Sequence, residues 1–228
     1  MVRPIRGTHI DLEKAIRQTA WRQIAEKGAA ALSLRAIARD LHITAPAIYN
    51  YFPSRDDLVT ALIVEAFTAL ADAQFAALEG VAERDHAARL TALGMAYRRW
   101  AVTYPQRYQL IFGTPIPGYH APGEITAPAA ARSLTALVGC LEAARRDGKL
   151  NMVPASHLAE SLTNQLVTWQ QAVAAEHPYI LYLALIIWSR VHGMVSLECG
   201  NQYPSFIETP EAVFDAQVHS LVAEYITA

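Results

Sequence analysis

The sequence predicts an all-α protein, and three observations carry that prediction. Alanine, the best helix former, supplies 41 of the 228 residues. Apolar residues recur at three- and four-residue spacing along most of the chain. No segment shows convincing period-two alternation or a hairpin turn signal, and there is no internal repeat. At 53% hydrophobic and 18% charged, the chain is too apolar for a disordered polyelectrolyte. It is long enough for one or two domains with cores of their own.

The elements follow in order from stripes, caps and breakers. Leu12, Ile16, Ala20 and Ile24 form one stripe with Trp21 beside it, and Gly28 stands at a C-cap position. Ser33 reads as the N-cap of a short helix over Leu34–Leu41. Thr44 caps a second short helix, Ala45–Tyr51, with Pro46 in its first turn, where a missing N–H does no harm. After the Phe52-Pro53-Ser54 break, Ser54 opens a long helix to about Glu79, with Asp56 and Asp57 suiting its positive dipole end. Helices are expected over His86–Tyr104, Gln106–Phe112, Ala129–Asp147 (ending at Gly148), Ala155–Glu176, Tyr179–Glu198 and Pro210–Tyr225. The stretch 113–128, with four prolines and three glycines, reads as a loop.

Charge and cysteine usage narrow the function classes. Residues 1–60 carry nine Lys/Arg against six Asp/Glu, a balance of +3, while the remainder carries ten against fifteen, a balance of −5. A mildly basic head on an acidic body is the asymmetry expected if only the head meets a polyanion. Cys140 and Cys199 offer neither a disulfide framework nor a CxxC metal pair, so a reducing compartment fits. The opening residues lack the apolar core of a signal peptide. The longest apolar run, Tyr179 to Trp188, is half of the roughly 20 residues needed to cross a bilayer. A soluble cytoplasmic protein without a membrane partner is expected.

The informative segment is 33–52. Its two short helices are joined by only His42-Ile43-Thr44, which is too short for antiparallel packing, so they must cross steeply as in a helix-turn-helix. Ile37, Leu41, Ile43 and Ile48 have the spacing to lock them together, leaving Thr44, Ala45, Ala47, Asn50 and Tyr51 outward on a helix narrow enough for a DNA major groove. An ordinary buried helical corner has the same spacing.

The stretch LSLRAIARDLHITAPAIYNYFPSRDDLV resembles the N-terminal DNA-binding region of the TetR family of bacterial transcriptional regulators. The resemblance is close over about residues 10–60. Further on, YPQRYQLIFG (104–113), GTPIPGYHAP (113–122) and WSRVHGMVSLE (188–198) look like a subgroup whose C-terminal domain carries a Trp-His-Gly signature, matched by Trp188, His192 and Gly193. One departure stands out: the family usually has glycine in the turn where this chain has His42. A non-glycine residue at positive φ costs about 1 kcal/mol there, and His, Asn and Asp tolerate it best.

The resemblance implies a three-helix DNA-binding domain over 1–54 and a helical effector-binding and dimerisation domain over 55–228. It implies phosphate contacts from Ser33, Arg35, Tyr49, Tyr51 and Arg55, chemistry that hydroxyls, arginines and helix N-termini provide. Base contacts would come from Thr44, Ala45, Ala47 and Asn50, with Pro46 in the same interface, alanine meeting thymine methyls and asparagine bonding adenine. Tyr49 has packing partly in the core as its bland alternative, and Arg3 and Arg6 read as an arm touching the duplex.

The resemblance also implies a homodimer on an inverted-repeat operator in double-stranded DNA. Phe214, Val218, Leu221, Val222 and Tyr225 form one stripe, and the 179–197 helix, including Tyr182 and Ile186, is apolar nearly all round, as a helix covered on several sides must be. Leu221→Arg is therefore expected to give monomers. Residues 86–176 correspond to the ligand-sensing part, where Tyr97, Trp100, Tyr104, Tyr108 and Phe112, with Asn164, Thr168 and Trp169, form a candidate lining for an apolar or aromatic small-molecule effector. The same aromatics at helical spacing also read as simple core.

Enzymatic readings find little support. Only one Glu-x-x-His pair, Glu83 to His86, is present where a di-iron bundle needs two. There is no HExxH, no GxSxG and no P-loop. The alternative is a helical-bundle enzyme or redox sensor using His192 or a cysteine. No cofactor, metal or catalytic residue is expected, and the reading is a ligand-responsive repressor.

Overall fold

The computed structural model describes residues 8–152, 159–173 and 175–227. Ten α-helices follow one another: α1 Thr8–Lys27, α2 Leu34–Asp40, α3 Ala45–Tyr49, α4 Arg55–Leu78, α5 His86–Thr103, α6 Pro105–Phe112, α7 Gly123–Arg146, α8 Glu160–Val173, α9 Pro178–Cys199 and α10 Pro210–Tyr225. No strand occurs among the described residues beyond an isolated antiparallel bridge between Leu150 and Ile226. The all-α expectation is met, with a 3-10 turn over Ala29–Ala31 added after α1.

Helix ends are set by local chemistry. Gly28 takes φ 79° where the chain leaves α1, and its N–H reaches the Ile24 carbonyl at 2.9 Å. Ser33 caps α2 by accepting the Ala36 N–H at 3.4 Å. Gly148 ends α7 with φ 67°, while the N–H groups of Gly148 and Lys149 return to Arg145 and Ala144. These two bonds form the double closure of a Schellman end. The expected loop 113–128 is shorter than predicted, because α7 already begins at Gly123 and holds Pro128 inside it. Proline there removes one backbone donor near the helix start, a smaller loss than a mid-helix break. The expected start of α8 at Ala155 lies outside the described residues, and α8 ends at Val173, short of Glu176.

The chain divides into two compact units: residues through Ala66 with Pro105–Ala127, and Phe67–Tyr104 with Pro128 onward. The division expected at 54/55 is thus a break between helices inside the first unit. That unit packs Ile16, Ala20 and Ile24 of α1 with Ile37 of α2, Ile48 of α3 and Leu58 and Leu62 of α4, all at most 6% exposed. Glu65 of α4 gathers the rest: its carboxylate accepts the Trp21 indole N–H at 2.9 Å and pairs with Arg107 of α6 at 3.3 Å. Arg107 also lies over the Trp21 ring, 5.0 Å from its centroid.

In the second unit α5, α9 and α10 pack together, with α8 on α9. Buried Glu142 of α7 fixes the start of α9 by accepting the Glu176 and His177 N–H groups at 2.7 and 3.1 Å. Arg98 of α5 holds Glu198 of α9 through two bonds of 2.8 and 2.6 Å, and this pair raises the arginine pKa above its already high ordinary value. A bidentate, half-buried pair of this kind fixes orientation as well as distance.

Candidate functional site

The first unit presents its site through one turn. α2 ends in a Schellman closure: Ile43 N–H donates to Ala38 O at 3.0 Å and His42 N–H to Arg39 O at 3.1 Å. This geometry needs a left-handed residue after the cap, and His42 supplies it at φ 53°. The chain then turns straight into α3, whose N-cap is Thr44. Ile48 is the side chain that α3 buries completely, while Ala45, Ala47 and Tyr51 are half-buried and Thr44, Pro46, Tyr49 and Asn50 are exposed. Tyr49 is 42% exposed, so it belongs to the outward surface and not to the core.

Arg35 is exposed on α2, and Ser33 is half-buried at the cap. Arg55 also bonds inward. Its Nε donates to the Leu32 carbonyl at 3.2 Å, and its Nη2 donates to those of Ala29 and Ala30 at 3.1 Å each. Through Nε and Nη2 the guanidinium braces the turn before α2, a role that stands beside the phosphate contact the resemblance implies for Arg55. Arg3 and Arg6 lie outside the described residues.

The second unit contains a small cavity of about 40 Å3. Leu90, Leu93 and Gly94 of α5, Leu137 of α7, and Ile187 and Val191 of α9 form its apolar wall, closed by Val218 and Leu221 of α10. Gln74, Tyr97 and Trp188 bring the polar groups. The Tyr97 hydroxyl lies 2.8 Å from His192 Nδ1, Trp188 stacks on the His192 ring at 4.8 Å, and Ser196 Oγ lies 3.4 Å from Nε2. Burial lowers the His192 pKa from its ordinary 6.5 and favours neutral imidazole. Gln74 Oε1 is buried without a hydrogen-bond partner.

Of the expected ligand residues whose side chains are described, only Tyr97 lines this cavity. Trp100 is buried off it with its indole N–H unpartnered, while Tyr104 is 44% exposed. Tyr108 and Phe112 belong to α6 in the first unit, their rings 5.3 Å apart, and Asn164 is exposed on α8. The side chains of Thr168 and Trp169 fall outside the described residues. Gln74 was missed because nothing near it in sequence separates a buried glutamine from a solvated one.

The expected dimer stripe on α10 is corrected too. Phe214, Val218, Leu221 and Tyr225 are each at most 4% exposed within the single chain, leaving Val222 half-buried beside them. The Tyr225 phenol is pushed up to about 12, chiefly by that burial. Their stripe is core, and a second subunit cannot reach it. Tyr182 and Ile186 of α9 are half-buried. Burial also pushes up both thiols, Cys199 to about 11. Thiols held protonated are poor nucleophiles, which disfavours the redox-sensor alternative.

A capped helix, a left-handed turn and an outward second helix anchored by one buried isoleucine define a helix-turn-helix regulator, with a separate helical unit enclosing an apolar cavity. Residues 16–62 match the family described as bacterial regulatory proteins, tetR family, and residues 90–221 match the tetracyclin repressor-like C-terminal domain. The HTH-type transcriptional regulators Rv1816 of Mycobacterium tuberculosis and Mb1846 of Mycobacterium bovis are each 35% identical over 225 residues, covering 96% of this chain and 94% of theirs. The crystal structure of a protein assigned as regulatory, SCO4313, superposes with a TM-score of 0.78 at 36% identity, over 97% of this chain and 100% of that one. A protein of unknown function from Rhodococcus sp. RHA1 shares the fold at a TM-score of 0.72 and 22% identity, over 95% of this chain and 96% of its own. The chain belongs to the TetR family and is a DNA-binding transcriptional regulator, not an enzyme.

Proposed function

We propose that the chain is a ligand-responsive repressor, cytoplasmic, that binds an inverted-repeat operator as a homodimer and leaves it when a small apolar molecule fills the cavity of the second unit. The observation that carries this reading is the combination of an outward α3 with an apolar cavity reached by α4. Thr44, Ala45, Ala47 and Asn50 face the bases, with Pro46 beside them, and Ser33, Arg35, Tyr49, Tyr51 and Arg55 hold phosphates. One five-residue helix binds DNA weakly alone, and two on a two-fold axis read two half-sites.

The partner surface falls on the outer side of α9. Tyr182 and Ile186 are half-buried, while Ser189, Gly193 and Leu197 continue the same face exposed, Leu197 to 40%. Small and apolar side chains at this spacing suit a close helix-on-helix seam.

Ligand reaches the head through α4. Gln74 lines the cavity near one end of this helix, and Arg55, at the other end, braces the turn before α2. An effector must favour the released state by more than about 1 kcal/mol to matter.

The test is a gel-shift titration at moderate salt with inverted repeats from the DNA upstream of the chain's own reading frame, alongside light scattering. Binding of one repeat by a dimer supports the reading. A chain that stays monomeric, or that ignores every such repeat, overturns it.

A further inference from the structure

We infer that Arg107 of α6 is a positioning residue for DNA binding: it acts through Trp21 and Glu65, not through a phosphate, and holds α1 on α4 so that α2 and α3 keep one orientation. The inference goes beyond the repressor reading and needs neither an effector nor the cavity.

Helix α6 follows the DNA-reading segment by more than fifty positions, yet it lies in the same compact unit and packs on α1. Arg107 Nη2 is 3.3 Å from Glu65 Oε1, and its guanidinium lies over the Trp21 ring, 5.0 Å from the centroid. The Trp21 indole N–H donates to that same Oε1 at 2.9 Å. One carboxylate oxygen of α4 thus fastens α1 and α6 together, and the cation covers the ring whose N–H it shares. The other oxygen, Oε2, is 3.8 Å from Arg17 Nη1 of α1. Arg17 in turn lies over the ring of buried Phe52, 5.5 Å from its centroid. Phe52 N–H bonds the carbonyl of Ile48, the side chain that α3 buries, at 3.0 Å. Contacts therefore run without a gap from α6 to the exit of α3.

The chemistry suits orientation more than bulk stability. Charge-assisted bonds fix angles as well as distances, and a cation on an aromatic face constrains the ring plane. The Arg107 and Glu65 side chains are 26% and 29% exposed, so both stay partly solvated, and an apolar residue at 107 would cover Trp21 equally well. Arginine adds the tie between the ring and the carboxylate. A second fastening follows α6, where the Tyr119 hydroxyl lies 2.9 Å from Thr60 Oγ1 of α4. Helix α6 is thereby held to α4 at its start and through the loop after it.

The test compares full-length Arg107→Met, Arg107→Lys, Glu65→Gln and the Arg107→Met/Glu65→Gln double variant by amide hydrogen exchange and by binding to the inverted repeat that the wild type selects. Arg107→Met keeps the side-chain length over Trp21 and removes the charge. It is expected to fold, to exchange faster in α1 and in residues 43–52, and to bind the repeat about tenfold more weakly, the scale of one charge-assisted contact. The salt slope stays at the wild-type value, since no phosphate contact is lost. Arg107→Lys restores most of the affinity and protection, and the double variant binds no more weakly than Glu65→Gln alone. Faster exchange confined to α6 with unchanged affinity, a salt slope reduced by about one, or additive losses in the double variant each overturn the inference. Global unfolding of both Arg107→Met and Arg107→Gln makes Arg107 a stability residue and overturns it as well. If the wild type selects no repeat, the exchange pattern alone decides, so the operator reading can fail while this inference stands.

Discussion

Arg55 Nε donates to the Leu32 carbonyl at 3.2 Å, which ties the first turn of α4 to the residue just before the α2 cap. The family resemblance alone implies that a basic side chain at this position serves DNA phosphate. In this chain the guanidinium also bonds Ala29 and Ala30, the carbonyls of the 3-10 turn whose N-cap, Gly28, offers no side-chain bond.

Arg55→Ala is therefore expected to weaken the fold as well as the DNA contact. Loss of charge-assisted bonds from a side chain 30% exposed is expected to cost about 1–2 kcal/mol, read as a lower urea midpoint. The salt slope of operator binding falls by about one at the same time. Arg35→Ala changes only the second: stability is unchanged, and the salt slope falls by about one, as for one lost phosphate contact. An unchanged slope in folded Arg55→Ala protein leaves the brace as that residue's one role.

The burial of Leu221 reverses a second expectation. Leu221 is 2% exposed and lines the cavity, so Leu221→Arg places an unpaired charge in the core and costs roughly 3–5 kcal/mol. The expected result is loss of helical signal, not a folded monomer. Ile186→Arg, on the half-buried outer side of α9, is the variant expected to keep its circular dichroism spectrum and halve its mass in light scattering. A folded, dimeric Ile186→Arg protein places the partner surface elsewhere.

These two residues show what periodicity conveys and what it omits. Spacing identifies the α10 stripe of Phe214, Val218, Leu221 and Tyr225, and all four do share a buried side. Spacing says nothing about whether the cover is the same chain or another copy. Local chemistry is read more surely: the Ser33 cap, the strained His42 turn and the Gly148 end depend on one residue each, and each is found where expected. The cavity was legible in character but not in lining, because its apolar residues come from α5, α7, α9 and α10 and pack like any core. Pro128 misled for a related reason, since proline near a helix start is tolerated where proline in mid-helix is not.

His192 gives the second unit a pH dependence of known sign. Burial lowers its pKa from 6.5, so below 6.5 the unfolded chain binds protons that the folded chain resists. Stability therefore rises with pH through this window and falls as pH drops from neutral through 6.5 toward the lowered value. Melting temperatures at about pH 7.5 and about pH 5.5 should differ more for the wild type than for His192→Gln, which lacks the titrating ring. Equal differences in the two proteins assign the pH dependence to other groups.

The turn at His42 offers a test by repair. At φ 53° an L-residue sits in left-handed space, which costs roughly 1–2 kcal/mol, and histidine is among the residues that tolerate it best. Glycine removes that cost but loses about 0.4–1 kcal/mol through the greater freedom of its unfolded chain. His42→Gly is thus expected to gain about 0.5–1 kcal/mol, seen as a higher urea midpoint at unchanged m-value. The Ile43-to-Ala38 and His42-to-Arg39 backbone bonds need no side chain from position 42, so the α2–α3 geometry survives the change. Operator affinity should stay within about twofold of wild type, because both half-site readers keep their positions. A destabilised His42→Gly protein with weaker operator binding means that the exposed imidazole itself holds the turn or touches the duplex, and the backbone account of this turn is then wrong.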